Sequence, residues 1–220
     1  MRVSECRGLV AAVAIVALCS GCSSQSSSTE SVPSSEPAAP TPANDVSGPG
    51  TVTGSVPVAR GGFPSVVILE SQAAQEFAPQ RGLPVMDQVS LSFIPELLLV
   101  RTGQPAEFRN SDDVLHNVRV REEATKAPSF NVAIPTGQVY AHTFPRDGFY
   151  DVGCDIHPGM SAQIVATSTP YATTTDAEGN FVLRDVLPGS YTVTVYAGAD
   201  RIDQPLEVGA GHTEVHIAPR

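Results

Sequence analysis

A Cys, a His and a Met follow one another at three-residue steps in Cys154-Asp155-Ile156-His157-Pro158-Gly159-Met160, and a second His opens the upstream run His116-Asn117-Val118-Arg119-Val120-Arg121. A thiolate, two imidazoles and a thioether make a mixed donor set. Soft sulfur suits Cu(I), and borderline nitrogen makes Cu(II) tolerable at the same place. The set therefore fits one copper ion that changes oxidation state, with Cys and two His in a plane and Met as a weak axial donor. His116, Cys154, His157 and Met160 are the candidate ligands.

These residues need a scaffold, and alternation supplies one. In Tyr150-Asp151-Val152-Gly153-Cys154 a period of two puts Tyr150, Val152 and Cys154 on one face, and the same period puts His116 beside Val118 and Val120. Both candidates face a core. Short runs such as Val66–Leu69, Leu97–Val100, Val139–Phe144 and Tyr191–Tyr196 are β-branched, aromatic or aliphatic and are bounded by Gly, Pro or Asp. No segment holds a helical period, so the chain reads as all-β, with residues 71–87 as a long irregular connection.

The N-terminus has a different character. Arg2 and Arg7 precede the apolar run Leu9–Leu18, which is too short to span a bilayer and ends in small residues before Cys22. Residues 1–21 read as a signal peptide. Leu18-Cys19-Ser20-Gly21-Cys22 resembles the lipobox of bacterial lipoproteins, which implies lipidation of Cys22 and attachment to a membrane; plain secretion is the alternative. Loss of Cys6 and Cys19 with the signal, and acylation of Cys22, leaves Cys154 as the single thiol of the mature chain. Residues 22–49 are a tether: 16 of the 27 positions from 23 to 49 are Ser, Thr or Pro, too few apolar groups for a core. It would reach about 30 Å as a flexible coil and about 80 Å when extended.

Composition removes one class of partner. The 220 residues carry 13 Lys and Arg against 23 Asp and Glu, a net charge of −10 with no basic block, so nucleic acid is not expected to bind. The remaining His residues point to no further metal site. His212 and His216 flank Val215 in a strand-like run, where a four-residue step spans about 13 Å, and His142 has no paired donor nearby in sequence. Met86 reads as a packing residue. No Ser-His-Asp or paired-carboxylate arrangement can be assigned, so an enzyme is not expected.

Beyond the ligands, Phe93-Ile94-Pro95, Val100-Arg101-Thr102-Gly103, Ala106–Asp112, His116-Asn117 and Cys154–Met160 stand in an order that resembles the plastocyanin-type cupredoxins, and the tight Cys-x-x-His-x-x-Met loop is most similar to that of amicyanin. The resemblance covers about residues 88–166. It implies a Greek-key β-sandwich of about eight strands carrying one type 1 copper, with Asn117 bracing the two ligand loops, Pro158 beside the ligands, and His157 as the ligand nearest the surface where electrons enter. The last fifty residues resemble a second module. Thr173–Leu183 and Val186–Val193 read as strand, turn, strand, turn, strand, with Pro188-Gly189 at the centre of a type II turn, and resemble the carboxypeptidase regulatory-like, or transthyretin-like, β-sandwich. That module's opening strand is missing there and is matched instead by Gly50–Val56. The expected organisation is a cupredoxin domain over 50–167, whose residues 50–70 are also candidates to pair with the module, and the module over 168–220; the copper domain is then an insertion within it.

The function implied is single-electron transfer in the cell envelope, periplasmic or otherwise extracytoplasmic, to a redox protein that the chain does not identify. Two alternatives stand beside it. One is copper sequestration or delivery, and the other is a surface module that binds glycan or peptide with a structural cupredoxin domain.

Overall fold

The computed structural model describes residues 48–60 and 62–219. The expectations for residues 1–21, for the tether and for Cys22 fall outside these residues, apart from the last two tether positions. The described chain runs β1 (Gly50–Ser55), β2 (Val66–Ser71), β3 (Val85–Val89), β4 (Ser92–Ile94), β5 (Leu97–Arg101), β6 (Pro105–Asn110), β7 (His116–Glu122) and β8 (Pro128–Ile134), and continues through β9 (Val139–Thr143), β10 (Gly148–Gly153), β11 (Ser161–Thr167), β12 (Ala172–Thr174), β13 (Asn180–Val186), β14 (Gly189–Ala197), β15 (Asp200–Val208) and β16 (His212–His216). The fold is all-β. No helix among the described residues is long and apolar enough to cross a membrane.

The strands form four sheets, in the orders β4-β3-β6-β9, β5-β11-β10-β7-β8, β12-β2-β14-β15 and β13-β1-β16. Alternation along each strand decides what lies between them. Leu98, Val100, Val118, Val120, Tyr150, Val152, Ile164 and Ala166 face Met86, Phe93, Ala106 and Phe108 in one core, so the first two sheets are a sandwich. Val67, Leu69, Tyr191, Val193 and Val195 face Val52, Phe181, Leu183 and Val215 in a second core, and the last two sheets are another. The opposite faces are also apolar. Leu97 and Val165 from the first sandwich meet Val66 and Ile68 from the second, with Leu99, Phe149 and Tyr196 packed at the margin. A third apolar layer thus joins the sandwiches.

Chain order and spatial order differ here. β1 and β2 precede the first sandwich in sequence, yet β1 pairs antiparallel with β13 and parallel with β16, and β2 lies between β12 and β14. The segment from β2 to β3 is shorter than the sequence implies. Val85–Val89 is a strand parallel to β6, so the connection ends at residue 84 and the first sandwich begins before residue 88. The connection is tied down rather than loose: Phe77 packs edge-on against Tyr171, Arg101 lies over the Phe77 ring, and the Gln80 backbone N–H donates to Gln104 Oε1.

Each sandwich turns a corner in the same way. Tyr150 donates its hydroxyl to the Arg146 carbonyl four residues back, at 2.9 Å, and Tyr191 does so to Leu187 at 2.8 Å. Each is preceded two residues earlier by a Gly, with φ of 153° at Gly148 and 155° at Gly189, which a side chain would strain. The Gly189 value corrects the type II reading of Pro188-Gly189, whose third residue needs about +80°; Gly189 instead begins β14.

Candidate metal centre

The site forms at one end of the first sandwich, where β6 leads to β7 and β10 leads to β11. His116 is the first residue of β7 and is completely buried. The loop before it is shaped by Asn110, whose amide donates to the carbonyls of Val114 and Ile134. Within that loop Asp112 turns back, and its carboxylate lies 2.8 Å from His116 Nε2. A carboxylate only accepts, so Nε2 carries the proton and Nδ1 is left with a free lone pair. The N–H of Leu91, with those of His116 and Ser90, holds the Asp112 carboxyl below the usual carboxylate range against the opposing effect of burial.

Cys154 follows the last residue of β10 and is 2% exposed. Its N–H donates to the Met160 carbonyl at 3.4 Å, while the Met160 N–H donates to the His157 carbonyl at 3.0 Å. Those two bonds close the seven-residue loop next to the last β10–β11 pair, Gly153 with Ser161. Met160 is therefore held across from Cys154, buried in the same core. His157 is half-buried, and Pro158 is exposed in the loop.

Three donor atoms converge. His116 Nδ1 and His157 Nδ1 are 2.9 Å apart, and Cys154 Sγ lies 3.8 Å from the first and 4.0 Å from the second. The circle through these three atoms has a radius of about 2.1 Å, within the roughly 2.0–2.3 Å of metal–imidazole and metal–thiolate bonds. Two imidazole nitrogens facing each other beside a sulfur fit a shared cation. Among the described residues this is the one group of three or more His, Cys, Asp and Glu donors close enough to hold an ion.

Asn117 links the two ligand segments. Its Oδ1 accepts from the N–H groups of Asp155 at 2.7 Å and Ile156 at 3.3 Å and from the Cys154 thiol at 3.3 Å, and its amide donates to Asn131 and Asp155. The other His residues lie elsewhere: His142 is on β9, with burial lowering its pKa, and His212 and His216 are exposed on β16. Sequence reasoning missed Asp112, Arg119, Asn131 and Asp155 as partners of the ligand segments. Only the four-residue step from Asp112 to His116 was a signal, and without the loop geometry it had no meaning.

Two family models match the chain. Residues 82–167 match copper binding proteins of the plastocyanin/azurin family, and residues 135–215 match polysaccharide lyase family 4, domain II. The second match begins within the first sandwich and runs through most of the strands of the second. Plastocyanin of Ulva prolifera is 31% identical over 88 residues, which are 37% of this chain and 90% of that protein. A copper-containing nitrite reductase from Thermus scotoductus is 26% identical, with a TM-score of 0.37; the alignment covers 46% of this chain but only 26% of the reductase. A reduced amicyanin variant is 24% identical with a TM-score of 0.36, covering 46% of this chain and 99% of amicyanin.

The first sandwich is thus a cupredoxin, and the chain belongs to the plastocyanin/azurin family of copper-binding proteins. Its metal is copper, and the Nδ1, Sγ, Nδ1 set fits it.

Proposed function

We propose that the chain is a one-electron carrier of the cell envelope, with a type 1 copper held by His116, Cys154, His157 and Met160. When bound, copper supplies the Cu(I)/Cu(II) couple. The observation that carries this reading is the convergence of two Nδ1 atoms and one thiol sulfur on a circle of metal-bond radius. The chain's own residues preorganise that circle. Asp112 fixes the His116 tautomer, Asn117 holds the Cys154 loop to β7, and the bonds between Cys154, His157 and Met160 close the loop. A site held this firmly changes little between oxidation states, which favours fast electron exchange.

The surface around the site supports docking of a redox protein. Val114, Leu115 and Ile156 are exposed apolar residues on the loops that carry the ligands, Leu91 is an exposed one whose N–H holds Asp112, and half-buried His157 stands in the loop between Ile156 and Pro158. An apolar rim lets a partner exclude water near the His157 ring, the shortest way in for an electron. Protein-film voltammetry tests the reading: one reversible wave that persists through repeated cycles is expected. Copper loss at each reduction would favour sequestration or delivery instead.

The envelope location rests on residues 1–22, with a cleaved signal and a lipid on Cys22; intact mass of the membrane-extracted protein tests it. The pairing of β1 and β2 with β12, β13, β14 and β16 supports the insertion of the copper domain into the second sandwich. The match to polysaccharide lyase family 4, domain II favours a second reading for that sandwich, binding of glycan at the cell surface. Residues 168–220 alone lack β1 and β2, so a glycan array is best probed with the full chain.

A further inference from the structure

Asp155, the residue after Cys154, is a heavily engaged charged group beside the site. Its Oδ1 accepts from Arg119 Nη1 at 2.7 Å, and its Oδ2 accepts from Asn131 Nδ2 at 2.9 Å and Asn117 Nδ2 at 3.2 Å. Its own N–H is spent on Asn117 Oδ1. Arg119 comes from β7, Asn131 from β8 and Asp155 from the ligand loop, so one carboxylate joins three segments. The guanidinium passes over Gly153 to reach it: a Cβ there would stand 2.6 Å from Arg119 Nη2 and 3.6 Å from Cζ. The missing side chain at the end of β10 is what gives Arg119 its path.

The electrostatics give this arrangement a purpose. A carboxylate one residue from a copper-bound thiolate favours Cu(II), the more positive state, and would lower the reduction potential. A guanidinium in the same place does the reverse. Paired at 2.7 Å, the two opposite charges would offset each other's effect on a bound copper. We propose that Arg119 and Asp155 form a charge-compensated latch, positioning residues that hold the ligand loop to β7 and keep the loop carboxylate from biasing the copper. This rests on the copper-centred electron-transfer reading given above. With side chains 37% and 44% exposed, solvent screens each charge, so losing one partner should change the ratio of Cu(II) to Cu(I) affinity by about three- to fivefold. That corresponds to about 30–40 mV.

The test uses the full copper-loaded chain and compares Arg119→Gln, Asp155→Asn, the double variant and Gly153→Ala. Arg119→Gln should lower the potential, Asp155→Asn should raise it by a similar amount, and the double variant should return close to the parent. Gly153→Ala alters no charge but displaces the guanidinium, so it should move the potential in the direction of Arg119→Gln. Amide exchange in the copper-free protein is the companion measurement, with the Asp155 and Ile156 N–H groups exchanging faster in each single variant. Shifts of the same sign in the two charge variants, or colour and potential unchanged in Arg119→Gln and Gly153→Ala, would overturn the latch. A parent protein that is colourless with Cu(II) removes the copper reading instead, so the two failures are told apart.

Discussion

The two sandwiches share a corner and differ in the chain beyond it. In both, a Gly-x-Tyr step turns the chain and a tyrosine hydroxyl pins the turn, at Tyr150 and at Tyr191. Past the corner, β14 runs nine residues to Ala197 and reverses through Gly198-Ala199 into β15, a turn with no room for a binding loop. β10 stops after six residues at Gly153 and yields the seven-residue loop from Cys154 to Met160. The strands build equivalent platforms, and the chemistry lies in the loop that one platform carries. The site also stands five residues along β10 from Phe149, about 17 Å at strand rise, while Phe149 meets Tyr196 of the second sandwich at 4.7 Å. The partner sandwich thus covers the first near its corner end and leaves the copper end open.

The apolar layer between the sandwiches is the place where the comparison can be broken most severely. Val165 is 1% exposed there, and Val165→Asp would bury an unpaired carboxylate, costing at least about 3 kcal/mol. Urea unfolding of the copper-free protein should show this as a large drop in midpoint; an unchanged midpoint would mean that the sandwiches do not rely on each other.

Asp112→Ala acts on the copper end alone. It frees the His116 ring to rotate, and copper affinity should fall about ten- to hundredfold, read by competition with a copper chelator, while the urea midpoint of the copper-free protein moves far less than for Val165→Asp. Met160→Gln replaces a soft sulfur by a harder oxygen. A difference of ~2 kcal/mol in preference between oxidation states lowers the potential by on the order of 90 mV, with the colour retained. An unchanged potential would make Met160 a packing residue. The smallest effects belong to the corners: Tyr150→Phe and Tyr191→Phe should each cost about 1 kcal/mol, one hydrogen bond. Thermal unfolding of the two variants should give similar shifts if the corners are equivalent devices.

Much of the fold and site was legible in the sequence, for reasons that differ by residue. Alternation placed Cys154 and His116 toward a core because a strand's period of two is a property of the backbone, and both are buried. The Cys-x-x-His-x-x-Met spacing was legible because one short loop holds all three residues. Of the hydrogen-bond partners only Asn117 was legible, through the family resemblance. Asp112 reaches His116 through a loop shaped by Asn110, and Arg119 reaches Asp155 only because β7 and β10 are neighbours, with Arg119 paired to Gly153. Such contacts depend on tertiary register, which no local pattern encodes. The start of β3 was missed for a related cause: Val85-Met86-Asp87-Gln88-Val89 has one apolar and one polar inward residue, Met86 and Gln88, so its alternation is weak until β6 is alongside it.

The central claim is that the Cys154 thiolate and the His116 and His157 imidazoles would together hold a copper ion. Its most direct test is the visible absorption spectrum of the full chain with Cu(II), recorded beside Cys154→Ser. An intense visible charge-transfer band is predicted in the parent and none in the variant, whose hydroxyl matches the thiol in size but is not a soft, easily ionised donor. A colourless parent complex, or a band that survives in Cys154→Ser, would contradict it.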